Sequence, residues 1–241
     1  MTNQNLLLPA IILSLGLAAL GGGVAFGLMA FKASDKTVSV KGLAVRDVEA
    51  DLAIWTIRHT ATGDDLAAVQ SEIAANTAKV KTFLTAQGLA AGDIGAEKLE
   101  VTDLLANAYR SGEIAGPRYI ITSVITARTN DVNALDKAFG NAGQLLTQNV
   151  AIANEQGRAP VEYIFTGLNA LKPAMIAEAT KSARESADQF AKDSGTSVGA
   201  IKYASQGVFQ ILPRDSEDGY MQTQSRYKSV RVVSTVNFEL E

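Results

Sequence analysis

His59 is the single imidazole in a chain that has no cysteine. A general base needs a nucleophile or carboxylate arranged around it. The alternation in EADLAIWTIRHTA instead puts His59 on one strand face with Ala53, Trp55 and Ile57, the setting of a satisfied core or rim histidine. One His without Cys excludes the usual thiolate and imidazole metal sites. The missing thiols exclude disulfides and Cys nucleophiles as well. Carboxylates cluster at Asp64 and Asp65, where a helix N-terminus favours negative charge. A second group, Asp215, Glu217 and Asp218, lacks the spacing of a calcium loop. Gly140–Gly143 falls in a helical pattern, no GKS or GKT exists, and no serine sits in a GxSxG frame. The expectation is a non-enzymatic protein with no catalytic residue, no metal and no cofactor.

The elements around these residues alternate legibly. KTVSVKG reads as a strand, and so does the longer run through His59. Residues 62–65 resemble a capping box before a helix with Leu66, Val69, Ile73, Val80 and Phe83 or Leu84 at helical spacing, stopped by Gly88. AEKLEVTDLL and RYIITSVITART are strands, the second rich in β-branched residues. Thr129 or Asn130 caps the next helix, whose stripe is Leu135, Phe139, Ala142 and Leu145 or Leu146. Short strands follow near 149–153 and 161–166. A helix from about Asn169 to Ser194 then carries an alanine face, Ala179, Ala183, Ala187 and Ala191, and stops at Gly195. AIKYASQGVFQI and SVRVVSTVNFEL close the pattern as strands. The order ββα, ββα, β, α, ββ predicts an α+β fold: a mixed, largely antiparallel sheet with three helices packed on it, preceded by one N-terminal transmembrane helix.

That helix is expected because residues 6–31 carry no charge. The stretch exceeds the roughly 20 residues that cross a bilayer. Only neutral residues precede it, so it lacks the positive n-region of a cleaved signal, although Ala25 and Gly27 would suit a cleavage site. Ala19, Gly23 and Gly27 share one face at four-residue spacing and form a candidate helix-packing stripe. Lys32, Lys36, Lys41 and Arg46 follow the helix, a pattern that favours a cytoplasmic domain, though the flank rule is weak for large domains. The domain reading is an anchor and linker over 1–36 and an α+β domain over 37–241, with subdomains 37–150 and 151–241 as an option. The net charge of −3 gives no reason to expect nucleic acid as a partner.

Two long loops, 106–117 and 213–225, mix Tyr with Arg in or beside them. Tyr109, Arg110, Arg118, Arg214, Tyr220, Arg226 and Tyr227 are therefore candidate interface residues. Four stretches in order, VSVKGLAVRDVEADLAIWTIRHTATG, VKTFLTAQGLAAGDIGAEKLEV, RYIITSVITARTNDVNALDKAF and EATKSARESADQFAKDSGTSVGAIKYASQG, resemble the SIMPL-domain family of bacterial envelope proteins over about residues 37–241. The chain departs from the family pattern at Glu49–Asp51, where a Pro-Asp is usual. The resemblance implies a periplasmic, non-enzymatic protein. Some members are linked to oxidative-stress tolerance, and some assemble into ring-like homo-oligomers. The combined expectation is a homo-oligomeric, ring- or cage-like scaffold, single-pass in the bacterial inner membrane with its domain in the periplasm. Its expected partners are itself, the bilayer through residues 6–31, and an unknown envelope protein. The alternative is a periplasmic binding module, released by signal cleavage, that captures a partner through the two Tyr/Arg loops.

Overall fold

The computed structural model describes residues 7–33, 36–106, 116–153, 159–216 and 222–241; within the first helix, side chains are described from residue 10 to 25. The chain order is α1 (Leu7–Ala33), β1 (Thr37–Glu49), β2 (Leu52–Gly63), α2 (Leu66–Ala86), a 3-10 turn (Ala91–Asp93), β3 (Lys98–Asp103), β4 (Tyr119–Thr129), α3 (Val132–Gly140), α4 (Gly143–Thr147), β5 (Ile152–Ala153), β6 (Val161–Ile164), α5 (Leu168–Asp193), β7 (Val198–Gln206), β8 (Gln210–Pro213) and β9 (Tyr227–Leu240). The α+β class stands, and the strand pairs β2–β4, β2–β5, β2–β6, β3–β4, β7–β9 and β8–β9 are all antiparallel. Two details differ from expectation. The strands form two sheets, ordered β1-β9-β7 with β8 on β9, and β3-β4-β2-β5 with β6 on β2. The described α-helices number five rather than the expected three and an N-terminal one, because the expected 130–146 helix breaks at Asn141 and Ala142.

Residues 45–174 and 209–231 form one compact unit; residues 1–44, 175–208 and 232–241 form the other. In the first unit, β2 and β4 pair from Ala53↔Thr129 to Gly63↔Tyr119. Alternation buries Ala53, Trp55, Ile57, His59 and Ala61 on β2, and Ile121, Ser123, Ile125 and Ala127 on β4. Helix α2 starts where the Asp65 carboxylate accepts the Ala67 and Ala68 amides, at 2.8 and 3.1 Å. It stops at Gly88, whose φ of +106° suits a residue without Cβ. Val80, Phe83 and Leu84 of α2 join Trp55, Ile57, Ile125, Leu135 and Leu145 in the main apolar cluster. Helix α3 is capped by Asp131, whose Oδ1 accepts the Ala134 amide at 2.9 Å, rather than by its neighbours. Thr129 instead accepts the Asp131 amide, and Asn130 reaches back to the Asp51 carbonyl. Asp51 itself accepts both the amide and the hydroxyl of Thr166, tying the start of β2 to the chain after β6.

In the second unit the alanine face of α5 is buried as expected, together with Met175. Ala183 and Ala187 pack with Val40, Val236 and Phe238. The backbones come very close there. A Cβ built on Gly42 of β1 would lie 1.8 Å from the Ala179 carbonyl oxygen and 2.5 Å from the Ala183 nitrogen. Arg184 stacks its guanidinium 4.6 Å from the Phe238 ring centroid.

The inner-membrane expectation is corrected. Among the described residues no helix is long and apolar enough to cross a membrane. The side chains described in α1 are those of residues 10 to 25. The single-pass, periplasm-facing placement and the bilayer as a partner through residues 6–31 fall with it. What the structure does show is that every one of those side chains is exposed, with Leu13 and Leu20 at 68 %.

Candidate functional site

Two constellations of polar side chains stand out in the unit built on β2. The first surrounds His59, which is 1 % exposed. The paired strands bring it opposite Ser123, and Thr77 comes down from α2. Thr77 Oγ1 donates to Glu97 Oε1 at 2.5 Å, and Ser123 Oγ donates to the same oxygen at 2.7 Å. Each hydroxyl has one hydrogen, and both go to the carboxylate. His59 Nε2, 3.1 Å from Thr77 Oγ1, must therefore be the donor in that contact. This fixes the Nε2–H tautomer and leaves Nδ1 a bare acceptor with no hydrogen-bond partner. Burial pushes the histidine pKa below its usual range, partly offset by the Ile73 backbone and by Glu97. Glu97 is held below the ordinary carboxylate range. Its own desolvation is outweighed by the hydrogen bonds from Thr77 and Ser123, with Lys81 and His59 adding attraction.

Arg226 organises the second constellation. Its Nε donates to Glu49 Oε1 at 2.6 Å, one terminal nitrogen to Asp136 Oδ2 at 2.5 Å, and the other to Asn133 Oδ1 at 2.5 Å. The Tyr163 hydroxyl donates to the second Asp136 oxygen. Burial, followed by the Asp136 hydrogen bond and charge, raises the tyrosine pKa well above its normal value. Tyr227 has two guanidiniums near its ring, with Arg214 4.6 Å and Arg226 5.9 Å from the centroid. Arg214 in turn pairs with Asp215 through two hydrogen bonds, at 2.9 and 3.1 Å. Pro213, Asp215, Ser216, Gln224 and Ser225 line a cavity of about 370 Å³ beside them. Lys228 is 2 % exposed on the inner face of β9, donates to the Gln222 carbonyl, and has its pKa lowered by burial.

The model of the SIMPL family, described as a protein of unknown function (DUF541), matches residues 38–238. The chain belongs to that family. No curated protein matches it. The SIMPL match begins at β1, so α1 precedes it. Within this SIMPL domain, two of the expected interface residues serve the chain's own fold. Arg226 is the hub just described. Arg118 clamps Asp103 through two hydrogen bonds, at 3.2 and 3.0 Å, stacks on Tyr119, and gives its backbone amide to Asp64. The structure brings Arg214, Arg226 and Tyr227 together, and Arg118 belongs with Asp103 instead. Tyr109, Arg110, Tyr220, Glu217 and Asp218 lie outside the described residues. Ala19 and Gly23 line one open concavity on α1 with Gly16, Leu20 and Val24; Gly27 falls beyond the described side chains. Among the described residues, no group of three or more His, Asp or Glu could hold a metal ion.

Thr77, Ser123 and Glu97 were not singled out from the SIMPL sequence. The signal was nevertheless there, since Thr77 and Ser123 occupy positions where the helical and strand periods call for an apolar residue. Lys228 breaks the β9 pattern in the same way. Replacing Arg226 with Met should cost about 2 kcal/mol, because its charged hydrogen bonds go and Asp136 is left half-buried without its cation. Glu49, 47 % exposed, recovers water and adds little. Urea unfolding of the two proteins measures the difference. An unchanged midpoint would show that the network contributes nothing to folding.

Proposed function

We propose that this SIMPL-family chain is a non-enzymatic scaffold that works as a homo-oligomer, ring- or cage-like, with α1 as the element that gathers its copies. The observation that carries the reading is α1 itself. Ile11, Ile12, Leu13, Leu15, Leu17, Leu20 and Val24 are 52–68 % exposed. An apolar helix without a polar face is stable in water only when something buries it. The concavity of about 440 Å³ lined by Gly16, Ala19, Leu20, Gly23 and Val24 offers a second copy of the same helix a place to seat closely. Clustered helices and associated domains then raise each other's effective concentration, so weak contacts at several places sum to a stable assembly. The link to oxidative-stress tolerance rests on the family resemblance.

Mass measurement by sedimentation velocity of the full chain tests the proposal. The unaltered protein should sediment as a defined oligomer at micromolar concentration. The double variant Ala19→Glu, Gly23→Glu should shift toward monomer, because a buried unpaired carboxylate in the seam costs several kcal/mol. A monomeric unaltered protein, or a variant of undiminished size, removes this reading.

A further inference from the structure

The His59 constellation cuts across the core of its unit as a polar layer, and we infer that this layer is an acid-sensitive seam at which the first half of α2 and the facing strand ends detach while the main core stays closed. On β2 the buried face runs from Ala61 through His59 to Ile57. On β4 it runs from Ile121 through Ser123 to Ile125, and the register sets these three pairs opposite one another. On α2 the buried stripe runs from Val69 and Ile73 through Asn76 and Thr77 to Val80, Phe83 and Leu84. The apolar residues divide at the same line. Ala61, Val69, Ile73 and Ile121 form one cluster, and Ile57, Val80, Phe83, Leu84 and Ile125 belong to the other.

The seam is closed by one chain of donors, His59 Nε2–H to Thr77, then Thr77 and Ser123 to Glu97. A proton added to His59 goes to Nδ1, which makes no hydrogen bond in the closed core; the Ile73 backbone beside the ring favours the charged form, but burial outweighs it. Burying the charged ring costs more than the Ile73 backbone and Glu97 return. In the opened state the ring reaches water and protonates freely, so acid favours opening. The charged groups around the ring enter the balance from each side. Glu97 attracts the imidazolium; Lys81 of α2 draws on Glu97; Lys79 of α2 donates to Asn76 Oδ1 and the Gln148 carbonyl. β4 contributes Ser123 and β5 contributes Ile152, neither of which titrates. The sign follows from the lowered histidine pKa. The closed state holds fewer protons than the open one, so closure is complete above the usual value of 6.5 and weakens as pH falls below it.

Hydrogen exchange by NMR on the full chain reads this directly. Protection factors at Val69–Ile73 and Ile121 should fall below about pH 6.5, by at most about tenfold per pH unit, and level off once the closed-state ring is itself protonated, while those at Val80–Leu84 and Ile125 hold. In His59→Gln, whose side-chain amide can still donate to Thr77, the outer set should lose its pH dependence. Flat protection in the unaltered protein, or an unchanged slope in the variant, overturns the inference. Should the variant fail to fold, the single histidine of the unaltered chain supplies the second readout. Its ring signals should show the Nε2–H tautomer and a titration below the usual value. An Nδ1–H tautomer or an ordinary titration overturns the inference equally.

Discussion

Gly42→Ala should lower the stability of the unit that contains it by about 3 kcal/mol, at the upper end of what forced overpacking costs. For a chain of this size that corresponds to a fall in Tm of about 6–12 °C. The reason is geometric. The new methyl would sit 1.8 Å from the Ala179 carbonyl oxygen and 2.5 Å from the Ala183 nitrogen, both backbone atoms of α5. No side chain can swing aside to relieve that contact. Either β1 or the helix must shift bodily, and the packing of Val40, Ala183, Ala187, Val236 and Phe238 goes with it. Trimming the facing residue, in Gly42→Ala with Ala183→Gly, should therefore restore almost nothing. Thermal unfolding followed by circular dichroism measures both variants. An unaltered Tm in the first would mean that strand and helix do not meet at residue 42.

Trp55→Ala should cost the other unit about 3–5 kcal/mol. Trp55 is 1 % exposed at the centre of the main cluster and meets Phe139 edge-to-face, with ring centroids 5.5 Å apart and planes at 86°. That contact contributes about 0.5–1.5 kcal/mol beyond the area it hides. A cleft of about 170 Å³ lined by Trp55, Phe139, Ala142, Gly143, Leu146 and Ile152 already adjoins the ring. Truncation joins the new cavity to this cleft, which lets water in and limits collapse. Trp55→Phe keeps an aromatic partner for Phe139 and should lose less than half as much. Urea unfolding at equilibrium ranks the two. Equal midpoints for Ala and the unaltered chain would contradict a packed core at this position.

The two units were unequally legible in the sequence. β2, β4, α2 and α5 follow from strict periods, and the buried alanines of α5 fall where the four-residue repeat puts them. Local chemistry blurred the finer points. Thr129, Asn130 and Asp131 are all good caps, and only the chain path selects Asp131. The break at Asn141 and Ala142 interrupts a stripe that reads as continuous, because Leu135 and Leu145 are both buried on either side of it. The division into two sheets was not legible, because it depends on β9 joining β1 across most of the chain. The same distance hid the role of Arg226, whose carboxylate partners Glu49 and Asp136 lie 177 and 90 residues away. A loop arginine beside a tyrosine reads as an interface residue until those partners are placed. The length of residues 6–31 misled for a related reason, since a count of uncharged residues does not say what covers them.

The interleaving of the two units sets an order in time. Residues 37–44 of β1 belong with residues 232–240 of β9, which the ribosome makes about 190 residues later. At roughly 5–20 residues per second the wait is on the order of 10–40 s. The stretch from 45 to 174, with β2, β4, α2 and most of the main cluster, is synthesised well before then and can collapse first. During the interval β1 has no β9 beside it, and α1 with its uncovered leucines is already out. The nascent chain is therefore most prone to misassociation at its beginning, and a holdase that binds the α1–β1 stretch would protect the slowest step of its birth.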